Sequence, residues 1–249
     1  MEVDYDGIRL KSPVNIRQSI PFGLIALMIA SAASSQSYPS FPGEETDKRT
    51  LRTQEQVDVI FESGDFDRAY RIYRKDLAPR GDKYAQYMVG YMHLKGAGVP
   101  EDPVAALAWY QIAAERGDPS VLTARDELNK ALSPAQIAAA DVLFAGLRNE
   151  LSDRVLLLKL VKQDLNILRN SASGGVSPGS ANMTVFDRRS GVTSGTYYYQ
   201  KVRNRLDRRM KYLKGQVEVV DVEGDPHRKE LVEIELEIKK LTDVIAKQQ

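Results

Sequence analysis

The chain has 249 residues, enough for one or two domains with a real core, and its formal net charge of +1 gives no whole-molecule pull toward nucleic acid or an anionic membrane. It has no cysteine, which excludes disulfides, thiolate catalysis, cysteine-held metals and a cysteine-linked lipid anchor. Its two histidines, His93 and His227, stand in no metal-binding spacing, and the sequence implies neither a metal nor a cofactor.

Residues 1–19 are polar and carry Arg9, Lys11 and Arg17; an apolar run then extends to Ala33. That run is shorter than the ~20 residues of a spanning helix. It ends in Ala30, Ser31 and Ala32, a small-x-small cleavage pattern, so residues 1–33 read as a secretory signal peptide. The alternative is an uncleaved leader that anchors the chain in an inner membrane. The expected location is the periplasm of a Gram-negative bacterium, with inner-membrane anchoring as the alternative. Residues 34–50 are rich in Ser, Pro and charge and read as a linker.

Residues 51–145 read as helix pairs. A first helix begins near Gln54 and stops at Ser63 and Gly64; Asp65 caps a second that carries Ala69, Tyr70, Ile72 and Tyr73. The next pair is the clearest stretch of the chain. Small residues at Ala85, Gly90, Ala106 and Ala113 face large ones at Tyr87, Tyr91, Trp109 and Tyr110, as close helix packing requires. Gly96, Gly98 and Pro100 break the chain between the two helices, Asp102 caps the second, and Gly117 closes it. Arg80, Gly81 and Asp82 return as Arg116, Gly117 and Asp118 at an offset of 36, the period of a helical solenoid. A third helix follows from Val121, and Ser133, Pro134 and Gln136 start another.

On these residues (Ala85, Gln86 and Tyr87; Gly90, Tyr91 and Met92; Gly96, Gly98 and Val99; Asp102, Ala106, Trp109, Tyr110, Ala113, Ala114, Gly117 and Asp118) the chain resembles the Sel-one-like repeat, a tetratricopeptide-like helical repeat. The resemblance covers one unit strictly. It implies an α-solenoid that serves as a protein-interaction scaffold, with Trp109 and Tyr110 mainly in packing.

Residues 146–249 read as a helical, coiled-coil-like module. Phe144, Leu147, Leu151, Leu158, Val161, Leu165 and Leu168 follow a 3,4 spacing, with Arg154 as the one break. Leu231, Ile234, Ile238, Leu241 and Ile245 do the same after an Asp225, Pro226 cap; Tyr199, Val202, Leu206, Met210 and Leu213 mark a helix between them. An antiparallel bundle of the three and dimerisation through the same seams both fit this pattern. Residues 171–182 read as a Gly/Ser-rich loop. Residues 183–186 and 190–193 suggest a small β-hairpin, and the alternation over 217–222 suggests a further strand that could pair with it.

No catalytic constellation emerges. Gly175, Ser177 and Gly179 match a nucleophile elbow, but Pro178 removes the backbone N–H that the oxyanion needs. Gly96 and Gly98 follow a helix rather than a strand and lack the third glycine of a dinucleotide fingerprint. The basic run of Lys201, Arg203, Arg205, Arg208, Arg209, Lys211 and Lys214 reads best as a solvated helix face, balanced by Glu230, Glu233, Glu235 and Glu237. Among the aromatics, Tyr84 and Tyr87, with His93, are the expected partner contacts.

The expectation is therefore a non-enzymatic adaptor for another protein, with no nucleic acid and membrane contact only through an uncleaved leader. Two alternatives are kept: a self-assembling coiled-coil envelope protein, and an enzyme acting on an envelope polymer.

Overall fold

The computed structural model describes residues 48–173, 184–187, 191–219, 232–234, 236 and 238–240. The expected leader, most of the linker, the Gly175 to Gly179 pattern, His227 with its Asp225 cap, and Leu231, Leu241 and Ile245 lie outside the described residues. The fold is mostly helical with one small antiparallel hairpin, as the sequence suggests. Helices α1 (Lys48–Glu62) and α2 (Phe66–Ile72) form the first pair, and α3 (Lys83–Lys95) and α4 (Pro103–Ala113) the second. Then come α5 (Pro119–Ala131), α6 (Pro134–Leu151), α7 (Asp153–Ser173), strands β1 (Thr184–Asp187) and β2 (Gly191–Ser194), and α8 (Gly195–Val219).

Side-chain caps set the helix starts. The carboxylates of Asp65, Asp82, Asp102 and Asp118 accept backbone N–H groups of the helices they precede. Ser133 and Gln136 complete a capping box at α6. Each cap satisfies donors that the first turn leaves open. After α2 the chain widens into a π turn, Tyr73–Leu77, which places Tyr73, Leu77 and Ala78 inside; a 3-10 turn, Ala78–Arg80, follows and Gly81 ends the helical path at φ +79°.

The core has two main parts. The first joins α1, α2, α3 and α4 through Val57, Ala69, Leu77, Met88, Val89, Met92 and Ile112, and takes in Leu147 and Leu151 from the end of α6. A smaller layer, with Leu107, Tyr110, Leu128 and Ala140, packs α4 against α5 and α6. The second part lies between antiparallel α7 and α8: Leu157, Val161, Leu165 and Leu168 meet Val202, Leu206, Met210 and Leu213, and Ile234 closes it.

Two readings of the C-terminal half need correction. The 3,4-spaced seam from Phe144 to Leu168 is not one helix. Ser152 adopts an extended conformation (ψ 148°), α6 ends, and the Ser152 hydroxyl accepts the Val155 N–H of α7. The apolar spacing runs across the break because Leu147 and Leu151 fill the first core while Leu158 to Leu168 fill the second. The seam of α7 is thus covered within the chain. Nor is there a strand at 217–219: α8 continues through Val219. Once a helix is nucleated, each added residue gains a backbone hydrogen bond, so three alternating residues cannot overrule it. The expected hairpin does form, between β1 and β2, with Phe186 opposite Val192.

Buried Tyr110 makes this fold sensitive to alkali. Its hydroxyl is pushed well above the usual value of 10.0, first by burial and then by the neighbouring Tyr87 and Tyr91. A folded-state pKa raised in this way leaves stability intact below about pH 10, where the unfolded chain also stays neutral. Above that, stability falls by up to about 1.4 kcal/mol per pH unit for each such tyrosine. Urea midpoints measured from pH 9 to 11 are expected to drop, and Tyr110→Phe to flatten the slope; an unchanged slope in the variant would refute this origin.

Candidate functional site: an aromatic face on α3

Asp82 starts α3, and its position fixes which residues share a face. Tyr84, Tyr87 and Tyr91 lie at i, i+3 and i+7, one side of the helix. All three are half-buried, and each ring is held by another ring. Tyr84 meets Tyr73 edge-on at 6.2 Å, Tyr87 stacks on Tyr110 at 5.1 Å, and Tyr91 meets Phe61 of α1 at 6.2 Å. Beneath them, the Tyr73 hydroxyl donates to Asp58 at 2.7 Å. Burial raises the Asp58 carboxyl above its ordinary value, and the bond from Tyr73 opposes that rise. Gln54 donates to the Asp82 carboxylate at 2.6 Å, tying α1 to the start of α3.

His93 is not part of this face. It lies nine residues after Tyr84, half a turn away at about 100° per residue. Its Nε2 is hydrogen-bonded to the Tyr70 hydroxyl at 3.0 Å, and the Arg74 Nε donates to that hydroxyl at 3.2 Å. Arg74 in turn sits over the Trp109 ring, 5.9 Å from its centre. The structure therefore brings Tyr84 and Tyr87 together and puts His93 on a separate surface, among a phenol and a guanidinium. Among the described residues, no group of three or more histidines and carboxylates is placed to hold a metal ion.

The repeat motif residues do structural work around this face. Gly90 lets α3 and α4 approach closely: a Cβ there would sit 2.7 Å from the Tyr110 ring and 3.1 Å from the Ala106 carbonyl. Gly96 ends α3 in the left-handed region, and the N–H of Ala97 reaches back to the Met92 carbonyl. Asp102 closes the loop by donating its own N–H to the His93 carbonyl at 2.9 Å, then caps α4 through Val104 and Ala105. Ala106 and Trp109 are buried, and Gly117 ends the unit at φ +75°.

Sequence reasoning missed a buried ionic cluster behind the face. Lys83, almost fully buried, pairs with Glu115 at 2.6 Å and with Asp153 at 3.2 Å. Arg116 pairs with Asp153 at 2.7 Å, and Glu115 accepts the Asp153 N–H. This cluster bolts the first residue of α7 to the repeat. A signal was present in the recurring Arg-Gly-Asp. Arg116 reaches back to the Gly81 carbonyl at 2.7 Å, and its counterpart Arg80 reaches back to the Thr50 hydroxyl at 2.7 Å. In both copies the arginine reaches back to the start of the helix pair it closes, Thr50 in α1 and Gly81 just ahead of the Asp82 cap of α3.

Helix pairs with Asp caps, each closed by an arginine that reaches back to the start of the pair, define a helical repeat architecture. The Sel1 repeat model matches residues 83–118, which is α3 through the Asp118 cap, so the chain carries a Sel1-like helical repeat there. No solved structure matches the chain. Sel1 repeats are commonly protein–protein interaction modules, and the repeat is generally a non-catalytic fold.

Proposed function

We propose that the protein is a non-enzymatic adaptor that holds another protein in the periplasm or cell envelope of a Gram-negative bacterium. The observation that carries this reading is the row of Tyr84, Tyr87 and Tyr91 on one face of a complete Sel1 unit, each ring anchored by another and still half open. Rigid tyrosines offer large amphipathic contact at little entropic cost, and such residues dominate binding energy at protein interfaces. The partner is a protein segment laid across α3. The small-x-small end of the apolar run at Ala30, Ser31 and Ala32 supports export.

Affinity capture from an envelope extract tests the adaptor role. A partner enriched by the full chain should be recovered at least about tenfold less by Tyr84→Ala/Tyr87→Ala, since interface tyrosines commonly contribute 2 kcal/mol or more. Unchanged recovery with a helical spectrum equal to the parent's would overturn it. N-terminal sequencing of the fractionated protein tests the location. A new terminus near Ala33 in the periplasmic fraction supports export, and an intact leader in the soluble cytoplasm refutes it.

A further inference from the structure

The exposed surface of α8 and the hairpin before it combine two features that do not occur together by default. Tyr197, Lys201, Asn204, Arg208 and Lys211 are all exposed and follow an i, i+4, i+7, i+11, i+14 spacing. At 100° per residue they occupy an arc of about 80°, and at 1.5 Å per residue a stripe about 21 Å long. The opposite face of α8, with Tyr199, Val202, Leu206, Met210 and Leu213, is buried against α7. Lys201, Arg208 and Lys211 make no ion pair among the described residues, whereas Arg205 and Arg209 are engaged by Asp164. Asp207 is the one acid between Gly195 and Leu213.

A basic stripe alone would be an ordinary solvated face. The hairpin changes that. Val185 and Thr193 are half-buried on its inner side, while Phe186 and Val192 stand opposite each other on the outer side, 75% and 69% exposed. β2 ends at Ser194 and α8 begins at Gly195, so this apolar pair adjoins the end of the stripe where Tyr197, 53% exposed, begins it. The Lys201 ammonium lies 5.3 Å from the Tyr197 ring centre, which joins the aromatic end to the cationic one. Exposed aromatic and aliphatic side chains beside a row of exposed cations match the interface of an anionic bilayer: apolar groups enter the acyl boundary, a tyrosine sits at headgroup level, and cations meet the phosphates. Nucleic acid would match the cations but gives Val192 nothing apolar to enter.

We propose that the β1–β2 hairpin and the exposed face of α8 form a docking surface for an anionic phospholipid membrane, with Phe186 and Val192 inserted and Lys201, Arg208 and Lys211 on the headgroups. It stands independently of the adaptor reading and of any role for residues 20–33.

The absence of cysteine makes the test specific. The full chain carrying Val192→Cys, labelled with an environment-sensitive fluorophore, is mixed with vesicles of two parts phosphatidylcholine to one part phosphatidylglycerol. The label is expected to shift to the blue and brighten, much less so on pure phosphatidylcholine or at high salt. Each cation near such a surface contributes about fivefold in affinity, so Lys201→Glu/Arg208→Glu/Lys211→Glu should weaken the response at least about a hundredfold. These side chains are exposed, so the triple variant should keep the parent's helical spectrum. No shift on the anionic vesicles would overturn the proposal. So would a shift that the triple variant leaves intact, which would assign attachment to another part of the chain. Binding of an RNA or DNA duplex by this face without a vesicle response would overturn it in favour of nucleic acid.

Discussion

Replacing Asp164 by alanine is expected to destabilise the protein by about 3–5 kcal/mol, the range found when one partner of a buried ion pair is removed. Asp164 is 1% exposed on α7. Its Oδ2 accepts from Arg209 Nη1 at 2.5 Å, and its carboxylate also takes Arg205 through Nε at 3.1 and 3.2 Å and through Nη2. Arg209 is 2% exposed and lies among Leu206, Met210 and Leu213, so removing Asp164 takes a counter-charge from a guanidinium held inside the α7–α8 pair. Its bond to the Leu160 carbonyl, 3.2 Å, offers a dipole and no counter-charge. Removing both ions together is a different matter: an apolar pair of similar volume is often neutral or better at such sites. Asp164→Leu/Arg209→Met should therefore recover most of the loss. Chemical denaturation of the three proteins decides it. If the single and double variants lose the same stability, the pair is not the cause.

How much of this was legible in the sequence depends on whether the signal was local. Helix caps and breaks are local, so Asp65, Asp82, Asp102, Asp118, Ser133, Gly96 and Gly117 could be read in place, and the Sel1 unit followed from them. The pairing of Asp164 with Arg209 was not legible. Its partners are 45 residues apart, and an aspartate beside Leu165 looks like the polar edge of an amphipathic helix until α8 is laid against it. From the sequence alone the acids near the C-terminus are the natural counter-charges for the basic run. In the structure two of its arginines belong to Asp164, and Lys201, Arg208 and Lys211 are left on the surface. The stop at Ser152 carried no glycine or proline, and the apolar spacing ran through it.

The candidate face divides in the same way. Tyr84 and Tyr87 share a side of α3 because three residues is nearly one turn, which periodicity supplies. Periodicity also predicts that His93 faces elsewhere. Its actual neighbours, Tyr70 and Arg74, come from the preceding unit and required the fold. The ionic cluster of Lys83, Glu115, Arg116 and Asp153 likewise joins residues from α3, the end of α4 and the start of α7. It sets the aromatic face of the first core and the cationic face of the second on one framework, so a partner held on α3 would be carried with a chain resting on α8.

Gly98→Ala is expected to cost about 3 kcal/mol, two effects adding at one atom. Gly98 has φ +73°, a left-handed conformation that costs an L-residue roughly 1–2 kcal/mol. Its Cβ would also lie 2.5 Å from the Phe66 carbonyl carbon, 2.6 Å from that oxygen and 2.8 Å from the Asp67 nitrogen. Those are backbone atoms of the first turn of α2, so no side chain can swing aside. The loop must instead lift off α2, and overpacking of this kind costs about 1–3 kcal/mol. Gly117 provides the internal control. It has nearly the same φ, +75°, but nothing lies within 4 Å of its Cβ position. Gly117→Ala should therefore cost only the backbone part, about 1–2 kcal/mol. The difference between the two variants isolates the contact between the repeat's loop and the preceding helix pair. Equal losses on urea unfolding would mean that the loop of one unit does not rest on the unit before it, and that the two pairs are held together by their helices alone.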